Sequence, residues 1–286
     1  MNDFRLTDAN YHSREANMRY FSCSQVKAFD ACEAAAMAEI NGTWGREETP
    51  SLLIGSYVDA YFNSKRSGDK PGKISGLEFS EFVDTHRKQL INSRTGELKS
   101  DFKLAEQMIE RAENDKFFMS FLSGRKQVIM TANLFGVPFK VKFDVLRDDY
   151  RVTNKRIVDV KTVRDMQPMY KEGQGRLNFI EYWQYDLQGA IYTAVYEINK
   201  GLKLPFYIAP ITKENPPDLA IIHIPQEQLD MQLKFLEKRI ERYRAVKVGL
   251  IPPKRCGKCA YCRKTNRLDR VKELSELDFD LNEDSV

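Results

Sequence analysis

Apolar positions recur at helical spacing over residues 22–41, which predicts a helix with Ser24 placed to cap it. A shorter apolar helix is predicted over 52–62, with Gly55 at its opening. Residues 63–74, rich in Lys and Gly, read as a loop, and helical patterns return over 80–90 and 101–122. The period then changes to two. Segments 128–135, 139–146 and 156–163 read as strands, separated by turns at 136–138 and 147–154, and predict an antiparallel three-stranded meander. A long helix is predicted over 179–199, with Gly201 suited to its end. Two strands, 206–212 and 219–225, flank the turn 213–218, and a last helix covers 226–248. The run IPPKRCGKCAYCRK then forms an irregular cysteine-bearing knob. This order predicts an α/β (α+β) fold, a central mixed sheet packed between helices.

Composition narrows the class. The chain has 286 residues, 42% hydrophobic and 30% charged, which suits a folded core rather than disorder. No apolar run reaches the length of a membrane helix. The first residues lack the apolar centre of a secretory signal, so a cytoplasmic protein is expected. The net charge of +4 hides an uneven distribution. Residues 254–270 are strongly basic, and residues 271–286 are acidic and read as a solvated tail. No Pro-rich linker divides the chain. One domain over 1–270 is expected, with a helical part to about 122, a core over 123–250 and the knob over 251–270.

The segment Ile157-Val158-Asp159-Val160-Lys161-Thr162 carries the most informative chemistry. Side chains alternate along a strand, so Asp159 and Lys161 share one face and Val158 and Val160 the other. Charges on an otherwise apolar strand are costly unless they are used or paired. Asp144, in KFDVL on the preceding strand, can reach Asp159 across a hairpin. Two converging carboxylates repel unless a cation separates them, and oxygen donors select Mg²⁺ or Mn²⁺. Such an ion activates water and stabilises a phosphoryl transition state, and Lys161 would orient that water or neutralise developing charge. A plain Asp–Lys pair on a half-exposed sheet would carry the same triplet. Two further features add weight. Asp59 lies one turn into the Gly55 helix, and Gln184, Gln188 and Tyr192 recur four apart along a single helical stripe.

Cys256, Cys259 and Cys262 put three thiols in one tight loop. A zinc tetrahedron or an iron–sulfur cubane needs four, and Cys32 is the candidate fourth, with Cys23 as competitor.

Taken in order, SCSQVKAFDAC, GSYVDAY, KFDVL, IVDVKT, QGAIY and RCGKCAYC resemble the PD-(D/E)XK nuclease superfamily over about residues 22–265. The likeness is to its phage and prophage RecE-type exonucleases, kin of the RecB and AddB nuclease domains. It implies a restriction-endonuclease-like core. Asp144 and Asp159 would be metal-binding acids, the Val160 carbonyl a further ligand and Lys161 the catalytic lysine. Gln188 and Tyr192 would match the QxxxY helix of the RecB-like branch. Asp59 stands where many relatives carry His, a departure that adds negative charge. Cys32, Cys256, Cys259 and Cys262 match the four thiolates that hold a 4Fe–4S cluster in AddB-like relatives. The tighter late spacing leaves Zn²⁺ open. The resemblance further implies double-stranded DNA ends as substrate, a RecT-like annealing protein as partner, and a phage or prophage gene acting in recombination. A ring-shaped homo-oligomer would serve processivity.

The basic knob, with Arg255, Lys258, Arg263 and Lys264, would contact backbone phosphates without reading sequence. Two other readings compete. One is a non-catalytic DNA-binding or assembly protein with a metal-stapled tail. The other is an endonuclease or RNA-directed member of the same superfamily.

Overall fold

Why the helices stop where they do explains much of the architecture. A computed structural model of the chain describes residues 4–45, 49–66, 68–268, 270–271 and 273–274. The acidic stretch expected over 271–286 lies almost wholly outside these described residues. The N-terminal part holds α1 (Arg14–Arg19), α2 (Cys23–Ala31) and α3 (Glu33–Ile40). The single helix expected over 22–41 is two, because Cys32 leaves helical geometry at φ −169° and ψ 109°. Ser22, not Ser24, is the cap: its Oγ accepts from the Gln25 amide at 3.3 Å. α4 (Pro50–Ser64) starts at Pro50 behind the cap Thr49, so Gly55 does not open it. Gly55 marks a close approach instead, since a Cβ there would meet Thr162 Oγ1 at 2.8 Å. α5 (Glu78–Thr85), α6 (Arg87–Leu90), α7 (Ser100–Glu113) and α8 (Lys116–Phe121) follow. Each of the two helical patterns over this stretch therefore breaks once, the second where Asp115 caps α8.

β1 (Arg125–Leu134), β2 (Val137–Arg147) and β3 (Arg156–Val163) form the expected antiparallel meander. A hairpin that periodicity did not reveal comes next, β4 (Met169–Lys171) and β5 (Gly175–Leu177). α9 (Phe179–Tyr182) and α10 (Tyr185–Lys200) replace the one helix expected over 179–199. They part at Gln184, which sits in the left-handed region at φ 52°. The chain continues through β6 (Phe206–Thr212), β7 (Ile222–Ile224), α11 (Gln226–Lys247) and α12 (Ala260–Lys264).

The five-stranded sheet runs in the order β1-β2-β3-β6-β7. β3 and β6 are parallel and the other neighbours antiparallel, so β3, α10 and β6 make a crossover unit. One face packs α10, α11, α2 and α3 through Phe139, Phe143, Ile157, Leu187, Phe206 and Leu236. The other packs α4, α7 and α8 through Val58, Phe62, Met108 and Phe118 against Val145, Val158, Ala209 and Ile211. This is a mixed sheet flanked by helices, as the sequence predicts. No helix among the described residues is long and apolar enough to cross a membrane.

Candidate active site and thiolate cluster

The β2–β3 ladder is short. It pairs Val145 with Val158, Leu146 with Ile157 and Arg147 with Arg156, and then ends. One further step would set Asp144 directly opposite Asp159, two like charges on one face. Asp144 Oδ2 instead accepts from the Val160 amide at 2.9 Å, taking the place of a ladder partner. On its other side Asp144 faces Gln127 of β1, a residue in the left-handed region at φ 51°. Gln127 Nε2 donates to Asn63 Oδ1 at 2.8 Å and to Asp144 Oδ1 at 3.4 Å. The strand rolls over at this point: Phe143 joins the core under α10, and Val145 the core under α4. The resulting gap admits side chains from both faces of the sheet.

Asp159 lies at the base of the gap, 1% exposed. Its Oδ1 accepts from Gln188 Nε2 of α10 at 2.5 Å. Its Oδ2 pairs with the Lys161 ammonium, whose Nζ lies 2.6 Å away. Lys161 Nζ also lies over the Tyr185 ring, 5.5 Å from its centroid. Asp59 comes from α4, where Asn63 Nδ2 donates to it at 2.9 Å. Tyr192, one turn beyond Gln188, packs edge-on against Phe143 at 5.2 Å. Asp59, Asp144, Lys161, Gln188 and Tyr192 line one cleft of about 670 Å³. Gln184 leaves the expected stripe because its left-handed backbone ends the helix before it. Gln127, Asn63 and Tyr185 join the site without having been singled out by the sequence.

The electrostatics follow from crowding. Burial, then Asp159 and Asp59, push the Asp144 carboxyl well above its ordinary range, with Lys161 and the Val160 amide opposing. Burial also raises Asp59, with Asp159 adding to the effect and Lys161 countering it. Burial works against the charge of Lys161, but Asp159 and Asp144 outweigh it and raise its pKa. Three crowded carboxylates, two of which burial and mutual repulsion keep from ionising together, make a donor set that suits a hard divalent cation. The three carboxylates are not drawn into a ligand cluster as tight as the thiols described next. Among the described residues only the cysteines gather so closely. The Lys161 ammonium already holds one side of Asp159.

Cys32, Cys256, Cys259 and Cys262 bring their four Sγ atoms within 4.8 Å of one another. Cys32 and Cys262 are 3.6 Å apart, and Cys256 and Cys262 3.9 Å. Backbone amides of Cys256, Cys259 and Cys262 each donate to a sulfur of the set. Burial works against the Cys256 thiolate, but the Cys259 and Lys258 amides outweigh it and lower its pKa to about 7. Cys23 is elsewhere, on the cleft wall, where burial pushes its thiol up. The break at Cys32 is thus the joint through which the C-terminal loop grips α3. A second clamp supports it: Glu33 accepts both from Arg242 and from the Lys254 amide. The opposite end of α3 supplies Ala36, Glu39 and Ile40 to the cleft wall. The knob's cations are exposed, and some also brace the loop, with Arg255 donating to the Cys262 carbonyl and Arg263 to that of Lys258.

The fold has known relatives. Residues 22–265 match the model of a family described as a PDDEXK-like domain of unknown function (DUF3799). The fold is similar to the crystal structure of a "putative exonuclease" from Eubacterium rectale, with a TM-score of 0.85 and 36% identity. That likeness covers 96% of this chain and 98% of the other. No curated protein matches the sequence. With the family model spanning sheet, cleft and cysteine loop alike, the chain belongs to this PDDEXK-like family of the PD-(D/E)XK nuclease superfamily.

Proposed function

We propose that the chain is a divalent-metal-dependent deoxyribonuclease that degrades linear duplex DNA from its ends. The observation that carries this reading is the gap between β2 and β3, where Asp144 and Lys161 converge on the buried Asp159 carboxylate and Asp59 lines the same cleft. Asp144 and Asp159 hold Mg²⁺ or Mn²⁺, with the Val160 carbonyl and Asp59 as further ligands. Bound there, the ion supplies an activated water and Lewis-acid stabilisation of the phosphoryl group. Gln188 fixes the Asp159 carboxylate, and Tyr192 walls the cleft beside it. Action at ends draws on the likeness to the Eubacterium rectale protein and to RecE-type enzymes. The single strand left behind is the substrate of a RecT-like annealing protein, the partner such an enzyme serves in recombination.

The test is a time course on end-labelled linear duplex with a covalently closed circle as control, in Mg²⁺ and in EDTA. Loss of the linear DNA alone, abolished by EDTA, is the expected result. Cutting of the circle would make the enzyme an endonuclease. Degradation of RNA alone would move the substrate class. A folded, metal-replete protein that degrades none of these would leave the non-catalytic binding reading.

The cysteine cluster, on this reading, is a structural centre, because four thiolates leave no open position for chemistry. Two of its sulfur separations, 3.6 and 3.9 Å, lie close to the edge, about 3.8 Å, of a tetrahedron around an ion with Zn–S bonds of about 2.3 Å. The C-x-x-C-x-x-C loop is of the kind that holds a 4Fe–4S cluster. Iron with visible absorption that bleaches on reduction would assign the cubane, and one zinc with no colour would assign the single ion. Cys256→Ser is expected to release the metal and lower the melting temperature by several degrees, measured by calorimetry. A wild-type protein that is metal-free and equally stable would remove the staple.

A further inference from the structure

The middle of β2 has two unlike sides. Phe139, Val141 and Phe143 enter the core, and Lys140, Lys142 and Asp144 point the other way and line the cleft. Lys140 is 1% exposed, yet its described partners are neutral: the Tyr11 carbonyl and Asn17 Oδ1. Behind the wall, Lys247 donates to the Tyr20 carbonyl at 2.7 Å and to Gln25 Oε1 at 2.9 Å, and burial lowers its pKa to about 7. Lys142 is different. Its side chain is partly open to the cleft, and its ion pair is with Asp8, 3.0 Å away on a carboxylate 73% exposed. His12 lines the same wall, edge-on to Tyr11. Burial, then Lys142 and Lys140, lower the His12 pKa, so the ring offers hydrogen bonds rather than charge.

We propose that Lys142 and His12 form a second phosphate subsite, which holds the phosphate next to the scissile one, and that Asp8 occupies Lys142 until DNA displaces it. This rests on the nuclease reading of Asp144, Asp159 and Lys161. Lys142 and Asp144 are two positions apart on one side of a strand, about 6.6 Å along it, a spacing comparable with that of neighbouring phosphates on a nucleic-acid strand. Lys140 adds to the positive field of Lys142: burial lowers its pKa to about 8, which leaves it mostly charged at neutral pH, and it has no described carboxylate partner. The Asp8–Lys142 pair is a solvated one, with most of the Asp8 side chain open to water, so a phosphate exchanges for it readily. Lysine, a compact charge on a flexible stem, suits a contact that changes partner. The contact carries no base information, so it serves any sequence.

The experiment measures duplex binding by fluorescence anisotropy in Ca²⁺ over a salt series, and KM and kcat in Mg²⁺. It uses full-length wild type, Lys142→Gln, Lys142→Arg and Asp8→Asn. Lys142→Gln is expected to weaken binding and raise KM about tenfold, with kcat held within about twofold. Its log–log salt slope should fall by about 0.9, the loss of one phosphate contact. Lys142→Arg should restore binding, and Asp8→Asn should tighten it. An unchanged salt slope in Lys142→Gln would overturn the subsite. So would an Asp8→Asn variant that weakens binding as Lys142→Gln does, because the pair would then be a structural brace. A wild type that binds DNA with this Lys142-dependent slope but hydrolyses no nucleic acid would sink the nuclease reading and leave the subsite standing.

Discussion

Lys161→Met is expected to yield a folded protein that binds duplex DNA and hydrolyses it at least about 10²–10³-fold more slowly. The argument begins with position. Lys161 Nζ lies 2.6 Å from Asp159 Oδ2 and over the Tyr185 ring, at the base of the gap between β2 and β3. Burial disfavours its charge, but Asp159 and Asp144 raise its pKa, so it stays an ammonium through neutral pH. An ammonium cannot take a proton from attacking water. Its contribution is therefore electrostatic, a fixed positive charge beside the phosphoryl oxygens as negative charge develops on them. Methionine keeps most of the volume, one heavy atom shorter, and removes the charge together with its contact to Asp159 Oδ2. Lys161→Arg should rescue little, because a planar guanidinium does not fit where a point charge sits between a carboxylate and a ring. Steady-state cleavage of end-labelled duplex, with circular dichroism and anisotropy as controls for fold and binding, checks the expectation. A wild-type rate in a folded Lys161→Met protein would remove this lysine from the reaction.

The constellation was legible in sequence for a specific reason. Asp159 and Lys161 interrupt an apolar strand that is buried nearly end to end, so their charge stands out against its neighbours. The cysteines were legible because three thiols within seven residues already force a common site, and Cys32 completes it. What the sequence hid depends on backbone twists that side-chain patterns do not encode. Gln127 looks like any polar residue in a strand. Only its left-handed φ and its place opposite Asp144 bring it to the site. Spacing alone puts Gln184 on one helical stripe with Gln188 and Tyr192, because periodicity assumes an unbroken helix, and the break falls at that residue. A non-glycine residue in this region costs of order 1–3 kcal/mol, and Gln127 and Gln184 both flank the proposed active site. The β4–β5 hairpin escaped because strands of three residues are too short to show a period.

Asp144→Asn should make the metal-free protein more stable at neutral pH while abolishing metal-dependent hydrolysis. Asp144 is buried beside Asp159 and Asp59, and its folded-state pKa lies well above the ordinary 3.8. The folded state therefore keeps a proton that the unfolded chain has released. Stability is lost as pH climbs from about 3.8 towards the folded value, and above that value the penalty is present in full. Asparagine carries no charge to desolvate, and its amide oxygen can still accept from the Val160 amide as Asp144 Oδ2 does at 2.9 Å. The variant should melt a few degrees above the metal-free wild type at pH 7, and the two should converge as pH falls towards 4. Mg²⁺ should reverse the ranking by raising the wild-type melting temperature through binding, and it should shift the variant little. Hydrolysis should fall about 10³-fold or more, since the ion that activates water loses a ligand. Thermal melts from pH 4 to 8, with and without Mg²⁺, read all of this at once. A metal-free Asp144→Asn protein that melts below wild type would make this carboxylate a structural acceptor. An undiminished Mg²⁺ shift in the variant would place the metal elsewhere.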